Sequence, residues 1–484
     1  MTIINNKISN IEGLTFDDVL LIPNKSNIFS RKDVDTKTRL TNKLEINIPI
    51  LSANMDTVTE SEMAIAMARE GGIGIIHRFI PVEQQVNEVR RVKRSESIII
   101  EKPYTLSINA TLKEVKYLMD EKEVGGILIT NNDGKLVGIL THRDVLFQNN
   151  LDTRITELMT KDVVTANQGI SIDEAKKILH ENRIEKLPLV DKEGNLKGLI
   201  TTKDILKMER FPKAAKDKKG RLLVGAAVGV KDDYLKRTKA LLNAEVDVIV
   251  IDIAHGHSEY CINAIKNIRK EFGDIQLIAG NVATKEGTEE LINAGVDGVK
   301  VGVGGASICI TRIVSGSGVP QLTSILECCE VANNYNIPII SDGGIKHSGD
   351  ITKAIAAGAS SVMIGSLLAG TDESPGKAII KNGRKYKIYR GSTSFDSTIL
   401  RKEKENSIDI DNFISEIVPE GVESTVPYKG KLTEIIHQLV GGLRSGMSYS
   451  GARTIKELIE KGRFVKISNA SLKESHPHDV DVIK

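Results

Sequence analysis

The stretch Val246-Asp247-Val248-Ile249-Val250-Ile251-Asp252-Ile253-Ala254-His255-Gly256 decides the fold of this chain. A continuous apolar run that ends in polar residues and glycine is typical of a strand buried on both faces of a parallel sheet. Eight runs of this kind occur along the sequence: Pro49–Ala53, Ile73–Ile76, Leu222–Val228, Val246–Ile253, Gln276–Asn281, Gly298–Val303, Pro338–Asp342 and Ser361–Gly365. Several intervening stretches, such as Lys231–Ala244 and Glu259–Phe272, have helical periodicity. This alternation predicts an α/β protein built on a parallel (β/α)8 TIM barrel rather than an open sheet.

Composition excludes several classes of protein. The chain has 484 residues, of which 40% are hydrophobic and 27% are charged, so it can bury a large core. Lys plus Arg number 66 and Asp plus Glu number 64, a balance that predicts no nucleic-acid partner. The sequence contains no run of 18 apolar residues, so no membrane span is predicted. A polar first segment, Met1–Asn10, and four cysteines without metal-type spacing favour a reducing cytoplasm.

An internal repeat with a period of 60 residues interrupts the barrel pattern. Gly138–Leu146 matches Gly198–Leu206, and each copy is preceded by a helix that begins after Thr111 or Ser171. Two copies are too few for a solenoid, so we expect them to pack together as one module.

The repeat divides the chain into three predicted segments. Residues 1–97 are the first part of the barrel, residues 98–210 are the inserted pair (98–153 and 154–210), and residues 211–484 complete the barrel. The inserted pair is either a structural spacer or a nucleotide sensor. In the second case Asp144 and Asp204, at matching helix starts, could accept hydrogen bonds from ribose hydroxyls.

Glycine-rich segments follow the last three predicted strands, at the edge where TIM barrels carry their active sites. Gly302–Gly304, Gly343-Gly344 and Gly365-Ser366 would allow close backbone approach and offer free N–H groups. One such pair alone would indicate only a tight turn. Three at consecutive strand ends predict a phosphate site.

Cys309 is a candidate nucleophile because it lies in a glycine-rich loop and not on an apolar face. A structural cysteine is the alternative. The other three cysteines (Cys261, Cys328 and Cys329) lie in helical patterns and are predicted to be buried filler. Asp252 could bind a ribose hydroxyl, although the linear GxGxxG fingerprint is absent. His255 is as consistent with an ordinary loop residue as with a functional one.

A long polar segment after the eighth strand, residues 390–430, is predicted to be a mobile flap over the site. It ends in Val418-Pro419-Glu420-Gly421, where Glu420 is a candidate proton-handling carboxylate. A surface turn is the alternative.

With these residues identified, the chain resembles the IMP dehydrogenase/GMP reductase family over nearly its whole length, most closely the bacterial-type dehydrogenases. The matching motifs agree in order: Leu14–Leu21, Ser52–Val58, Gly220–Gly229, the Cys309 loop, Asp342–Ile345, Gly365–Gly370, Tyr389–Gly391 and Glu474–Val480. The insert resembles a tandem pair of CBS (Bateman) domains, which in this family bind regulatory purine nucleotides.

The resemblance implies oxidation of IMP to XMP by NAD⁺ through a Cys309 thioimidate, within guanine nucleotide biosynthesis. It implies Thr311 as a proton relay and Glu420 as a group facing the purine. Arg401 is the candidate catalytic arginine of the flap. The implied substrate contacts are Ser307, Asp342, Gly343, Gly344, Gly365, Ser366, Tyr389, Arg390, Gly391, Ser392, Thr393 and Glu420. The implied cofactor contacts are Asp252, Asn281, Gly302, Val303 and Gly304.

The resemblance also implies a K⁺ site and a homo-oligomer, by family pattern a tetramer. Carbonyls of the cysteine loop would bind the ion, here Gly304, Ala306 and Cys309. A neighbouring subunit would add oxygens from Glu474, Ser475 and His476.

Departures from the family pattern put one step in doubt. In the cysteine loop, the usual Pro, Gly and Thr are replaced by Gly305, Ala306 and Ile310. After Arg390-Gly391, the usual Met-Gly-Ser is replaced by Ser392-Thr393-Ser394. A dehydrogenase flap carries an adjacent Arg-Tyr pair that activates the hydrolytic water. Between Arg390 and Tyr428 this chain has Arg401 as its sole arginine and no tyrosine.

Three hypotheses therefore remain open at the level of sequence. An IMP dehydrogenase is favoured by the Val418–Gly421 and Glu474–Val480 motifs and by the insert. A GMP reductase, which deaminates GMP with NADPH, shares Cys309, Thr311 and Glu420 and needs no water activator. A hydrolysis-impaired paralogue that only binds purine nucleotides is the third.

Overall fold

The computed structural model describes residues 8–96, 99–231, 233–395 and 418–480, without the side chains of residues 207 and 208. Contacts divide the chain into two compact units. One comprises Met1–Lys93, Lys213–Asp217 and Leu222–Lys484, and the other comprises Arg94–Pro212 and Lys218–Arg221. No helix in the described ranges is long and apolar enough to cross a bilayer.

The first unit contains a closed barrel of eight parallel strands, which confirms the predicted fold class. The strands are β1 (Ile50–Ser52), β2 (Ile73–Ile76), β3 (Val224–Val228), β4 (Val248–Asp252), β5 (Leu277–Val282), β6 (Gly298–Val301), β7 (Ile339–Asp342) and β8 (Ser361–Ile364). Strand β8 pairs with β1, where Val362 lies opposite Ile50, and this pairing closes the barrel. Each predicted apolar run corresponds to one strand, and the ends differ by two residues or fewer.

One long helix follows each strand and covers the outside of the barrel. The helices are α1 (Ser61–Arg69), α2 (Val82–Ser95), α3 (Tyr234–Asn243), α4 (Glu259–Phe272), α5 (Lys285–Ala294), α6 (Gln321–Asn334), α7 (Ser348–Ala356) and α8 (Leu432–Tyr449). In α4 the buried residues Cys261, Ala264, Ile265 and Ile268 recur at helical spacing, so one face packs against the strands. Cys328 and Cys329 are likewise buried in α6, as expected.

The barrel unit also contains several short helices and strands. Two short helices, Thr311–Val314 and Ser366–Ala369, follow β6 and β8. A three-stranded antiparallel sheet lies between β8 and α8, and its strands are Ala378–Lys381, Arg384–Arg390 and Glu423–Pro427. The remaining strands (Val19–Leu21, Thr38–Arg39, Glu45–Ile46 and Phe464–Lys466), helices (Ile455–Lys461 and Asn469–Glu474) and 3-10 turns (Phe16–Asp18 and Arg31–Asp33) belong to the terminal segments.

The second unit has two halves of the same design, each with its own apolar core. The first half has strands Thr105–Ser107, Gly126–Thr130 and Leu136–Thr141 with helices Leu112–Lys122 and His142–Val145. The second has strands Ala166–Asn167, Lys186–Val190 and Leu196–Thr201 with helices Ile172–Glu181 and Thr202–Arg210, and a 3-10 turn at Ile155–Glu157 connects them. The register shifts after Ile129 in one half and after Leu189 in the other, sixty residues apart.

The two aspartates at the helix starts of the insert cap their own helices. Asp144 accepts hydrogen bonds of 2.7 Å from both the backbone N–H and the hydroxyl of Thr141. Asp204 accepts one from the hydroxyl of Thr201. Asp144 also lines a cleft of the insert together with Arg143 and others. Local capping thus accounts for an aspartate at each position, independently of any ribose.

Candidate active site

A pocket opens at the carboxyl ends of the barrel strands, where glycine-rich loops and polar strand ends meet. Its lining comes from β1, β2 and β4–β8 and the segments that follow them, and from the antiparallel sheet: Ala53–Met55, Arg78, Asp252–Ala254, Asn281, Lys300, Gly302–Ala306, Ile308, Cys309, Thr311, Asp342, Met363, Tyr389 and Gly391–Thr393. This is the edge at which TIM barrels carry out their chemistry.

Three side chains form a continuous hydrogen-bond chain at one wall of this pocket. The Sγ of half-buried Cys309 donates to Oγ1 of Thr311 over 3.1 Å. The Thr311 hydroxyl donates to Oε2 of Glu420 over 2.7 Å. A thiol, a hydroxyl and a carboxylate in this order provide a path along which the thiol proton can leave.

Backbone pairing fixes Glu420 against the cysteine loop. Cys309 and Gly421 form an antiparallel bridge. The N–H of Ile310 donates to the carbonyl of Glu420 over 2.8 Å, and the N–H of Val422 donates to the carbonyl of Ile308 over 3.0 Å. The end of the predicted flap is therefore held in register with the nucleophile, although the two lie more than one hundred residues apart in sequence.

Two glycines at the strand ends are required by close backbone approach. Gly302 has φ +145°, and a Cβ there would lie 2.0 Å from the carbonyl oxygen of Asp342. Gly343 has φ +99°, and a Cβ there would lie 3.2 Å from the backbone nitrogen of Ala306. The loops after β6 and β7 can meet only because these positions lack side chains.

Lys300 joins three strand ends beneath the pocket. Its ammonium donates to Asp252 Oδ1 over 3.0 Å, to Asp342 Oδ2 over 2.8 Å, and to Oδ1 of Asn281. Burial alone would lower the pKa of Lys300, but the two carboxylates outweigh it and hold that pKa above its usual value. Burial likewise opposes ionisation of Asp252, yet Lys300 and Arg78 keep the pKa of its carboxyl below the ordinary range.

The predicted site residues did not include Lys300 or Arg78. Lys300 is a lone cation inside an apolar strand, a signal that could have identified it, because such a group is buried only when it is paired. Arg78 directly follows His77 at the end of β2. Its guanidinium lies 3.3 Å from the position that a Cβ on Gly229 would take, so its proximity to the site depends on tertiary structure.

Tyr389 lines the pocket from the antiparallel sheet, and its hydroxyl lies 3.8 Å from the sulfur of Met55. Tyr389 is 3% exposed, and this burial raises the pKa of its hydroxyl to about 12. A hydrogen bond with Ser307 acts in the opposite direction but is the smaller effect. The hydroxyl therefore remains protonated at working pH. Its neighbour Arg390 forms an ion pair with the buried Asp56 at 2.8 Å, which attaches the antiparallel sheet to the loop after β1.

Comparisons with known proteins show the family to which the chain belongs. The IMP dehydrogenase / GMP reductase domain model matches residues 13–478. Inosine-5'-monophosphate dehydrogenase from Nitrosopumilus maritimus is 57% identical over 97% of this chain and 98% of its own length. The chain belongs to the IMP dehydrogenase / GMP reductase family.

Two further relatives carry the names of the two different activities found in the family. The inosine-5'-monophosphate dehydrogenase of Aquifex aeolicus is 53% identical over 98% of this chain and 96% of its own length. A GMP reductase variant from Trypanosoma brucei, solved with guanosine 5'-monophosphate, is 46% identical with a TM-score of 0.90 over 99% of this chain and 100% of that one. Family membership alone thus leaves a choice between two reactions.

The remaining residues that the family pattern assigned lie in different places. Gly365 precedes the short helix that begins at Ser366. Gly344 lines a smaller pocket behind the cysteine loop. Glu474, Ser475 and His476 are exposed near the carboxyl terminus, and Arg401 lies outside the described residues. Within the described ranges no group of three or more His, Cys, Asp or Glu side chains could hold a metal ion.

Proposed function

We propose that this protein is an IMP dehydrogenase, which oxidises IMP to XMP with NAD⁺ and water. The identity of 57% and 53% to inosine-5'-monophosphate dehydrogenases of two organisms over nearly the full chain carries the proposal. The hydrogen-bond chain from Cys309 through Thr311 to Glu420 supports it, because it supplies a nucleophile and a proton acceptor at the catalytic edge of the barrel.

The substrate would lie across the ends of β6, β7 and β8. Ser307 with Gly343, Gly344, Gly365 and Ser366 would receive the phosphate, since backbone N–H groups of glycine-rich turns bind anions. The Asp342 carboxylate would accept hydrogen bonds from the ribose hydroxyls. Tyr389 and Arg390–Thr393 would line the nucleotide, and the purine would then lie against Cys309.

The first half of the reaction uses the proton path seen in the structure. The thiol proton of Cys309 passes through the Thr311 hydroxyl to Glu420, and the thiolate attacks C2 of the purine. The hydride on C2 then departs, and the purine remains bonded to sulfur as a thioimidate. One bond to carbon is made and one is broken, so the purine loses two electrons and the cysteine is unchanged in oxidation state.

The dinucleotide would bind at the other side of the pocket. NAD⁺ supplies the hydride acceptor when bound. The ionised Asp252 would accept hydrogen bonds from its ribose, and the predicted contacts Asn281 and Gly302–Gly304 would lie beside it. Arg78, opposite Asp252, adds a positive charge that suits a pyrophosphate.

The second half of the reaction is hydrolysis of the thioimidate. Glu420 first releases the thiol proton to solvent. Water then adds to C2, the Thr311–Glu420 pair takes the proton of that water, and the carbon–sulfur bond breaks. The departing Cys309 thiolate regains a proton along the same path. The family's Arg-Tyr activator has no counterpart in residues 391–427 apart from Arg401. We therefore propose that hydrolysis, and not hydride transfer, limits turnover.

GMP reductase activity is the alternative, and two observations favour it. The chain lacks the adjacent Arg-Tyr pair, and the Trypanosoma brucei reductase shares the fold at a TM-score of 0.90. Cys309 would then attack C2 of the guanine ring of GMP, ammonia would leave, and NADPH would deliver the hydride. Both reactions share the thioimidate.

The proposal extends to the insert, the ion and the assembly. The insert would act as a tandem CBS pair for purine nucleotides, because its cleft brings Arg143, Arg183 and Lys186 near Asp144. K⁺ would bind the carbonyls of Gly304, Ala306 and Cys309, hard oxygen ligands of the kind that coordinate this ion. The partner subunit's C-terminal segment would complete that site in a homotetramer. Four unpaired cysteines support a cytoplasmic protein.

Product analysis tests this assignment. Purified protein is incubated with K⁺ and either IMP plus NAD⁺ or GMP plus NADPH, and the nucleotides are separated by chromatography. We expect XMP and NADH from the first mixture only. IMP and ammonia from the second mixture, without XMP from the first, would establish the reductase.

A further inference from the structure

We propose that Lys300 is a positioning residue that holds the two sugar-binding aspartates, Asp252 and Asp342, in place and couples the dinucleotide side of the pocket to the purine side. The proposal rests on the proposed function, since it assumes that both aspartates bind ribose. It goes beyond that function because Lys300 touches neither the reacting carbon nor the nucleophile.

The geometry of the ammonium group carries the argument. Lysine has three donors, and all three are directed at protein oxygens: Asp252 on β4, Asn281 on β5 and Asp342 on β7. The Lys300 side chain is 3% exposed, whereas those of Asp252 and Asp342 are 15% and 22% exposed. The ammonium therefore lies beneath the carboxylates, which present their remaining oxygen lone pairs to the pocket.

Asn281 takes its orientation from the same group. Its Oδ1 accepts from Lys300, so its Nδ2 is turned towards the carbonyl of Gly302 at 2.8 Å and Asp342 Oδ2 at 3.0 Å. Both amide hydrogens are thus used within the protein. Asn281, predicted to contact the cofactor, serves in this arrangement to brace the β6 loop and Asp342.

The sequence has made room for the lysine stem. A Cβ on Gly280 would lie 2.7 Å from Cβ of Lys300 and 2.5 Å from its carbonyl oxygen. Glycine at the neighbouring position of β5 therefore lets the lysine backbone and stem pass close by. Such close packing fixes the position of the Lys300 side chain.

Charge balance explains why the group must be a cation. Two carboxylates that share one low-dielectric site repel each other, and one of them would take up a proton if nothing compensated. Asp252 is faced by Lys300, Arg78, the amide of Asn54 and the thiol of Cys261. Lys300 alone among these also bonds Asp342, so one ammonium group keeps Asp252 ionised and holds both carboxylates in position to accept sugar hydroxyls.

The test compares Lys300→Met with Lys93→Met. Lys93 is a matched control: it is 5% exposed, it donates to Asp217 at 3.1 Å and Asp247 at 2.6 Å, and it lies outside the pocket. We expect Lys300→Met to lower kcat/KM for both IMP and NAD⁺ by about 100-fold. We expect the acid limb of its pH profile to move to higher pH by about 1–3 pH units, because Asp252 loses its main cation. Lys93→Met loses stability but keeps the wild-type KM values and pH profile.

Lys300→Arg keeps the proposal testable if the methionine variant does not fold. Arginine retains the charge but not the three-way geometry, so we expect raised KM values with the acid limb unmoved. Wild-type KM values for both substrates in Lys300→Arg would overturn the positioning role. So would a Lys300→Met enzyme with the wild-type pH profile.

Binding of IMP measured by calorimetry across the same pH range separates this proposal from the proposed function. A wild-type protein that neither binds IMP nor turns it over contradicts the proposed function. A wild-type protein that does both, beside a Lys300→Met variant of unchanged affinity at every pH, contradicts only the role of Lys300.

Discussion

Cys309 differs from the other cysteines of the chain in what surrounds its sulfur. Burial raises the pKa of Cys261 and Cys328 to about 12, and it raises that of Cys329 as well. Cys309 instead lies half-buried in the pocket, with Thr311 beside its sulfur. Burial and access decide which cysteine reacts, so we expect Cys309 to be the reactive one of the four.

Selective alkylation follows from this difference. At pH 8 a thiol with a pKa of about 12 is ionised in only about one molecule in 10⁴. We expect iodoacetamide to modify Cys309 alone in the folded protein, with IMP protecting it, as peptide mass spectrometry would show. Modification of Cys261 or Cys328 at a comparable rate would contradict the burial assigned to them.

Replacing Glu420 by glutamine tests the proton path. The amide cannot take the proton that Thr311 passes on, so we expect kcat to fall by about 10²- to 10⁴-fold. IMP binding should change little. Glu423→Gln, three residues along the same segment and exposed, is the matched control. A Glu420→Gln enzyme as fast as the wild type would exclude this path.

Elements of the barrel were largely predictable, whereas their tertiary partners were not. Each apolar run could be recognised as a strand from its own residues. A strand that is buried on both faces is apolar along nearly its whole length, as β4 is. The antiparallel sheet formed by Arg384–Arg390 and Glu423–Pro427 was missed, because its strands are polar and lie more than thirty residues apart. The predicted flap of residues 390–430 thus has a stem of paired strands, and residues 396–417 lie outside the described ranges. Lys300 was missed because only the folded barrel brings its three partners together.

Two glycines in different elements, Gly302 and Gly349, are expected to differ in how much stability is lost when each is replaced by alanine. Gly302→Ala at the end of β6 would place a Cβ against the Asp342 carbonyl, at a φ that disfavours side chains, so we expect a loss of about 1–3 kcal/mol in the free energy of unfolding. Gly349→Ala in α7 meets no atom within 4 Å and should be neutral or stabilising by about 0.5–1 kcal/mol. Urea unfolding measures both, and equal losses in the two variants would contradict the packing at Gly302.

The whole molecule consists of a complete barrel and an insert with its own two cores. The repeat predicted the insert at 98–210, and the second compact unit of the structure comprises Arg94–Pro212 and Lys218–Arg221. Lys93 donates to the carbonyl of Leu222, so the chain on either side of the insert is held together within the barrel unit. The barrel's closure uses no strand of the insert.

Deletion of Ile98–Arg210, replaced by a short Gly-Ser linker, should therefore leave an active barrel. We expect kcat and the KM for IMP to remain within about threefold of the full chain, since no pocket residue is removed. Added ATP or GTP should alter turnover of the full chain and not of the deletion variant. A deletion variant that folds but no longer binds IMP would show that the insert contributes to the active site.

Rapid mixing of the purified protein with IMP, NAD⁺ and K⁺, followed by NADH absorbance, tests the central claim most directly. In the proposed reaction the Cys309–Thr311–Glu420 chain activates the nucleophile for the step that releases the hydride, and residues 391–427 lack the adjacent Arg-Tyr pair that would activate the hydrolytic water. We therefore expect a burst of about one NADH per subunit and then slower steady turnover, with Cys309→Ala showing neither. Absence of a burst with IMP, together with NADPH consumption in a parallel run with GMP, would contradict the dehydrogenase and establish the reductase.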